Sequence, residues 1–258
     1  MNLVDTHCHL DEAPLAGQTE AVLARAKEAG VGSVVTIGTG VGSSRAAAAI
    51  AGRAPNVYAA VGIHPHEADT VTDEHLAEIE RLASQPNVVA IGEVGLDFYR
   101  QHAAPDNQRR VFQAFIQMAQ RSRRPLLIHC RNAYDELLAM LRQPGRRYEG
   151  IIHCASGPAP FIQGALELGF HISFAGNVTF SNATALQQLV PLVPDDRLLM
   201  ETDAPFLAPQ PVRGRPNEPA YLAHTAAFLA GLRGTTVETL AQRTSVNAAR
   251  LFGWAPVC

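Results

Sequence analysis

Eight apolar runs recur along the chain: 3-LVDTHCHL-10, 33-SVVTIGT-39, 57-VYAAVGIH-64, 88-VVAIGEVGLD-97, 125-PLLIHCR-131, 150-GIIHCASG-157, 170-FHISFAG-176 and 198-LLMETDAP-205. They are short, nearly continuous in apolar residues and rich in valine and isoleucine, the signature of strands buried on both faces. Between them lie stretches of helical character, among them 18-QTEAVLARAKEAG-30, 72-TDEHLAEIERLAS-84, 105-PDNQRRVFQAFIQMAQRSR-123 and 132-NAYDELLAMLR-142. The first closes on Gly30, a C-terminal stop, and the third opens on Pro105, which suits a first helical turn. Eight strand–helix alternations predict a parallel sheet covered by helices, and the count of eight favours a closed (β/α)8 TIM-type barrel over an open sheet. The segment 235-TTVETLAQRTSVNAARLFG-253 predicts additional C-terminal helices. No linker, charge block or internal repeat divides the chain, so residues 1–258 are expected to form one domain.

Composition narrows the function without naming it. The net charge of −3 provides no global basic field of the kind that holds long nucleic acid. No basic n-region precedes an apolar h-region at the start, and no uncharged apolar run approaches 18 residues. A cytoplasmic monomer with no membrane contact is therefore expected. Cys8, Cys130, Cys154 and Cys258 have neither CxxC nor disulfide-like spacing, and are read as small buried apolar residues in a reducing compartment.

The strand ends carry the chemistry. Alternation places Asp5, His7 and His9 on one face of the first strand, with Val4, Thr6 and Cys8 on the other. His7 and His9 end the first strand, Glu93 the fourth, His129 the fifth, His153 the sixth and Asp203 the eighth. Barrel enzymes place their active sites at this C-terminal face. Ionisable groups in apolar strands are costly to bury unless paired or bound to metal. Six of them converging on one rim point to a metal centre rather than to packing.

The motifs DTHCHLD, GIHPH, AIGEVGLDFY, PLLIHCR, IIHCASG, LLMETDAPFLAP, RGRPNEP and SVNAARLFG follow one another from end to end. With these in this order and spacing, the chain resembles the TatD-type metal-dependent deoxyribonucleases, within the wider group of amidohydrolase-like barrels. One departure is Ala155, where that family usually has phenylalanine; a wider pocket beside His153 would follow, with consequences for substrate preference.

The resemblance implies two divalent metal ions. His7, His9, Glu93 and Asp203 would hold one; Glu93, His129 and His153 the other. Imidazole-rich ligation suits zinc or manganese, and magnesium also serves the family. Many barrel relatives bridge their ions with a carboxylated lysine. Lys27 is the only lysine here and sits in the first helix, which leaves Glu93 as the bridging group. Glu201 is expected to orient a ligand histidine, Asp97 to support the centre or anchor a loop, and Asp5 to support His7 and His9. His64 is expected to contact substrate, and His66 to be a loop residue. Arg131, Arg213 and Arg215 are expected to meet phosphate.

The expected activity is that of a metal-dependent phosphodiesterase, a deoxyribonuclease trimming single-stranded ends 3' to 5', with Asp203 and Glu93 as catalytic residues. Hydrolysis of a carboxylic ester or amide, as by a D-aminoacyl-tRNA deacylase or a lactonase, is an alternative for the same centre. An adaptor that merely kept the barrel would have lost ligands, and none is lost.

Overall fold

Every strand of the sheet is parallel to its neighbours, and sequence order is spatial order. The computed structural model describes residues 2–100, 102–142 and 148–254. Its strands are β1 (Leu3–Cys8), β2 (Val31–Ile37), β3 (Val57–Val61), β4 (Val88–Asp97), β5 (Leu126–Arg131), β6 (Gly150–Ile152), β7 (His171–Phe174) and β8 (Leu198–Met200), hydrogen-bonded in the order 1 to 8. A parallel bridge between Cys8 and Ala204 brings the end of β8 back to β1 and closes the barrel. The helices are α1 (Thr19–Glu28), α2 (Val41–Ala51), α3 (Asp73–Ala83), α4 (Pro105–Ser122), α5 (Tyr134–Leu141), α6 (Ala159–Glu167), a single turn α7 (Thr184–Gln187), α8 (Leu222–Leu232) and α9 (Val237–Phe252). The architecture is the (β/α)8 barrel that the alternation predicts.

Two apolar layers hold it. The larger lies between strands and helices and contains Leu3, Cys8, Ile91, Val94, Phe112, Phe115 and Ile128. The smaller fills the barrel interior: Val4, Val35, Val89, Leu127, Ile151 and Leu199 meet Ala248, Leu251 and Phe252 of α9. The C-terminal helix thus seals the floor of the barrel, and Trp254 stacks on Tyr58 beside it. Asn247 fixes α9 by donating to the carbonyls of Asp195 and Leu198.

Strict alternation fails where it matters. Val4 belongs to the interior layer and Cys8 to the outer one, although period 2 assigns both to one face. The β1–β2 register shifts between Asp5 and Cys8, and that irregularity separates them. In β4 the β4–β5 register shifts between Ile91 and Val94, around Glu93. Such irregularities re-aim side chains next to active sites. They also correct one expectation: Glu93 does not end its strand, which runs on to Asp97.

His171, the first residue of β7, is 4% exposed. Burial, with help from Arg197, pushes its pKa from 6.5 down to about 4. The unfolded chain therefore binds one more proton than the folded one between those values. This histidine costs no stability above pH 6.5, and roughly 3 kcal/mol is lost as pH falls towards 4. His171→Phe is expected to flatten the dependence of urea-unfolding free energy on pH between 6.5 and 4.5. Parallel curves for variant and wild type would refute this.

Candidate metal centre

The barrel opens at its C-terminal end into a cavity of about 820 Å³. His9, His64, Glu93, Asp97, His129, Arg131, His153 and Asp203 are among the side chains that line it. Its rim is backbone of unusual conformation. Asn132, Cys154, Asp203 and Leu207 all have positive φ, between 43° and 57°, and all line this cavity. Non-glycine residues seldom adopt that region, and such strain gathers at functional sites. The floor also demands one glycine. Gly95 has φ 143°, and a Cβ there would lie 2.0 Å from the His129 carbonyl oxygen, so β4 can approach β5 this closely only without a side chain.

Glu93 is the hub. Its Oε2 lies 3.5 Å from His7 Nε2 and 3.9 Å from His9 Nε2. Its Oε1 lies 3.0 Å from both His129 Nδ1 and His153 Nε2, and 3.5 Å from His64 Nε2. One carboxylate therefore turns each oxygen to a different set of imidazoles. Asp203 Oδ1 closes the first set, 3.4 Å from His9 Nε2 and 3.7 Å from His7 Nε2. Three groups of donors converge closely enough to share an ion: His7, His9 and Glu93; His7, His153 and Asp203; His64, Glu93 and His129.

Burial would raise the Glu93 carboxyl, but His153, His64 and His129 hold it well below the usual range. Burial acts on Asp203 in the same way, and His9 and His7 bring it down. His9, despite burial, is drawn up to about 8 by Asp203 and Glu93, and His153 rises well above its usual value beside Glu93 and Glu201. The His7 Nε2 and His9 Nε2 atoms stand only 3.3 Å apart, and buried His7 Nδ1 finds no partner among the described residues. Two anionic carboxylates ringed by imidazoles call for positive charge among them; protons on His9 and His153 supply it without a metal, and a divalent ion fits the same donor set.

Supporting groups fix the imidazoles. Glu201, fully buried, has Oε1 3.2 Å from His153 Nδ1 and accepts from the Cys154 amide at 2.8 Å, as expected of a carboxylate that orients a ligand. Asp97 Oδ2 lies 3.0 Å from His129 Nε2, while its Oδ1 accepts from the Tyr99 and Arg100 amides. Asp97 thus both supports a histidine and anchors a loop.

Other expectations shift. His66 is no bystander: it lies in a short 3-10 helix, Pro65–Thr70, with Nε2 3.1 Å from Asp97 Oδ2. The HPH spacing of 64-HPH-66 was the available signal, since both histidines reach the site. His64, pushed down to about 3 by burial, faces Glu93 directly. Asp5 accepts from the His7 amide, so it holds the backbone of that histidine, and it ties β1 to the segment after β8 by accepting from the Thr202 amide and hydroxyl. Burial raises its carboxyl to about 7. Cys8 and Cys130 are buried as expected, Cys130 and the half-buried Cys154 both line the cavity, and Cys258 lies outside the described residues. Arg131 is in the cavity wall. Arg213 and Arg215 are exposed and absent from that wall; Arg213 packs over Phe180 instead. Lys27 lies in α1, away from the cavity. Ala155 is 1% exposed and does not line the cavity.

A (β/α)8 barrel with a histidine- and carboxylate-lined mouth has the make-up of a metal-dependent hydrolase. The TatD-related DNase family model matches residues 4–253, and the chain belongs to that family. It is 39% identical over 251 residues to the uncharacterized metal-dependent hydrolase YabD of Bacillus subtilis, covering 97% of this chain and 98% of that one. It is 37% identical over 261 residues to the 3'-5' ssDNA/RNA exonuclease TatD of Erwinia billingiae, again covering 97% and 98%. The crystal structure of YJJV, a TatD homologue from Escherichia coli, superposes with a TM-score of 0.91 at 30% identity, covering 98% of each chain. Among the described residues no helix is long and apolar enough to cross a membrane.

In a metal-dependent hydrolase, loss of a carboxylate behind a ligand histidine weakens metal affinity by about 10- to 100-fold. Glu201→Gln is expected to show that loss by titration calorimetry with an unchanged circular dichroism spectrum. Wild-type affinity in this variant would remove Glu201 from the role.

Proposed function

We propose that this chain is a two-ion phosphodiesterase that removes nucleotides from the 3' ends of single-stranded nucleic acid. The observation that carries the reading is the division of Glu93, one oxygen towards His7 and His9 and the other towards His129 and His153. His7, His9, Glu93 and Asp203 would hold one ion. Glu93, His129 and His153 would hold the other, with His64 a third imidazole on that side. Zinc or manganese suits this donor set best, and magnesium remains compatible with its carboxylates. Divalent ions bound there would supply an activated water and a polarised phosphoryl oxygen.

The chain's own residues do the rest. Asp203, beside His7 and His9 and open to the cavity, orients the attacking water and accepts its proton. Arg131 in the wall meets a phosphate oxygen. Glu201 and Asp97 keep His153 and His129 aimed at Glu93. The cavity is a pit at the end of a barrel, so a flexible single strand can bring a phosphate to its floor whereas the interior of a rigid duplex cannot. The exonuclease names carried by relatives such as the Erwinia enzyme agree with this reading.

Linear single-stranded DNA is expected to be degraded from its 3' end, and a closed circle of the same sequence to resist. Gel analysis of 5'-labelled linear strands beside the circle makes the test. Equal rates on both substrates would mean internal cutting and refute the end-trimming reading.

A further inference from the structure

We propose that Tyr99 and Phe206 are paired base-stacking platforms that grip the two nucleobases flanking the scissile phosphate. The proposal rests on the nuclease reading above and specifies how that site takes its substrate. Among the described residues, Tyr99 and Phe206 are the only aromatic side chains among the exposed large apolar ones, at 54% and 53% exposure. Both line the catalytic cavity. Tyr99 follows β4 and Phe206 follows β8, strands four apart in a ring of eight, so the two rings belong to opposite sides of the mouth. The donor cluster lies between them.

Neither ring is placed loosely. The Tyr99 amide donates to Asp97 Oδ1 at 2.9 Å, and the Arg131 guanidinium lies 3.8 Å from the tyrosine ring centroid. The Phe206 amide donates to the Asp203 carbonyl at 2.8 Å, and the Phe206 carbonyl accepts from buried Asn217 Nδ2 at 2.7 Å. Its ring meets His9 edge-on, with centroids 5.9 Å apart. Each aromatic is thus tied to the centre it overlooks, through Asp97 on one side and Asp203 on the other. Leaving an aromatic half in water forgoes burial that folding would favour, and its return comes when a ligand covers it. The ligand chemistry that matches is a flat π face carried next to a phosphate. Every nucleobase offers one, so such a grip is tolerant of sequence. It also needs unpaired bases, because a base within a duplex has both faces occupied by its neighbours.

The test compares kcat/KM on a short single-stranded oligonucleotide with that on an oligomer of the same length built wholly of abasic tetrahydrofuran units, a phosphodiester without any flat π face. Tyr99→Ala, Phe206→Ala and Phe206→Leu are each expected to lower the ratio of the two about 5- to 100-fold. Tyr99→Phe and Phe206→Trp are expected to keep it. An abasic site at either of the two terminal positions should impose the same loss on the wild type. The variant lacking the matching ring should show little further loss with that substrate. Unchanged ratios in all the alanine and leucine variants, or additive losses with the abasic substrates, would overturn the clamp. A wild type that hydrolyses no oligonucleotide would instead overturn the nuclease reading, and the clamp with it.

Discussion

Glu93→Gln is expected to reduce hydrolysis by about 10³-fold or more, and to lower the content of both ions in the purified protein. The substitution keeps the shape of the side chain, so the barrel should fold. What changes is charge and symmetry. The carboxylate turns one oxygen to His7 and His9 and the other to His129 and His153, and each is an acceptor. An amide can face only one set with oxygen; the other set meets an NH2 group that repels a cation. His153→Ala is the complementary case. It removes a donor from the second position, and with it the ring stacked on His7, but keeps the His7, His9 and Asp203 donors, so one ion should persist. Elemental analysis of both proteins beside rate measurements checks the pair. Two ions retained in Glu93→Gln, or equal loss of both from His153→Ala, would contradict the bridging role.

Asp203→Asn is expected to lower the rate by at least about 10²-fold, the lower range for a positioned acid–base group. Asp203 lies against two imidazoles, and no arginine or lysine pairs with it among the described residues. A purely structural role would therefore leave most activity and change stability instead. Its φ of 57° is tolerated by asparagine as by aspartate, so the backbone should not move. A variant within tenfold of wild type would remove Asp203 from the chemistry.

The sequence was most legible where one physical rule acted alone. Apolar runs alternating with amphipathic stretches announced the barrel, because a strand covered on both faces can contain little else. The ionisable residues in and just after β1, β4, β5, β6 and β8 announced the candidate centre, because charge in such runs needs a partner. Legibility failed where backbone departs from its period. Alternation put Val4 and Cys8 on one face and ended β4 at Glu93; the register shifts in both strands undo this. It failed again where a side chain reaches across the fold. Nothing near Asp5 in sequence indicates Thr202 as its partner, and nothing near His66 indicates Asp97. Arg213 and Arg215 looked like phosphate contacts because they follow Asp203 in the chain. Proximity in sequence did not carry them into the cavity wall.

The meeting of β1 with β8 also bears on how the protein is made. Asp5 bonds to Thr202, 197 residues further along, and the Cys8–Ala204 bridge spans almost as far. At about 5–20 residues per second, a ribosome needs roughly 10–40 s to bring the second partner into existence. During that interval His7 and His9 have no Asp203, and the interior layer has no α9 to seal it. Asp203 can join His7 and His9 only after the ring has closed. Capture of metal by a ribosome-bound nascent chain would therefore report the last step of assembly rather than the first.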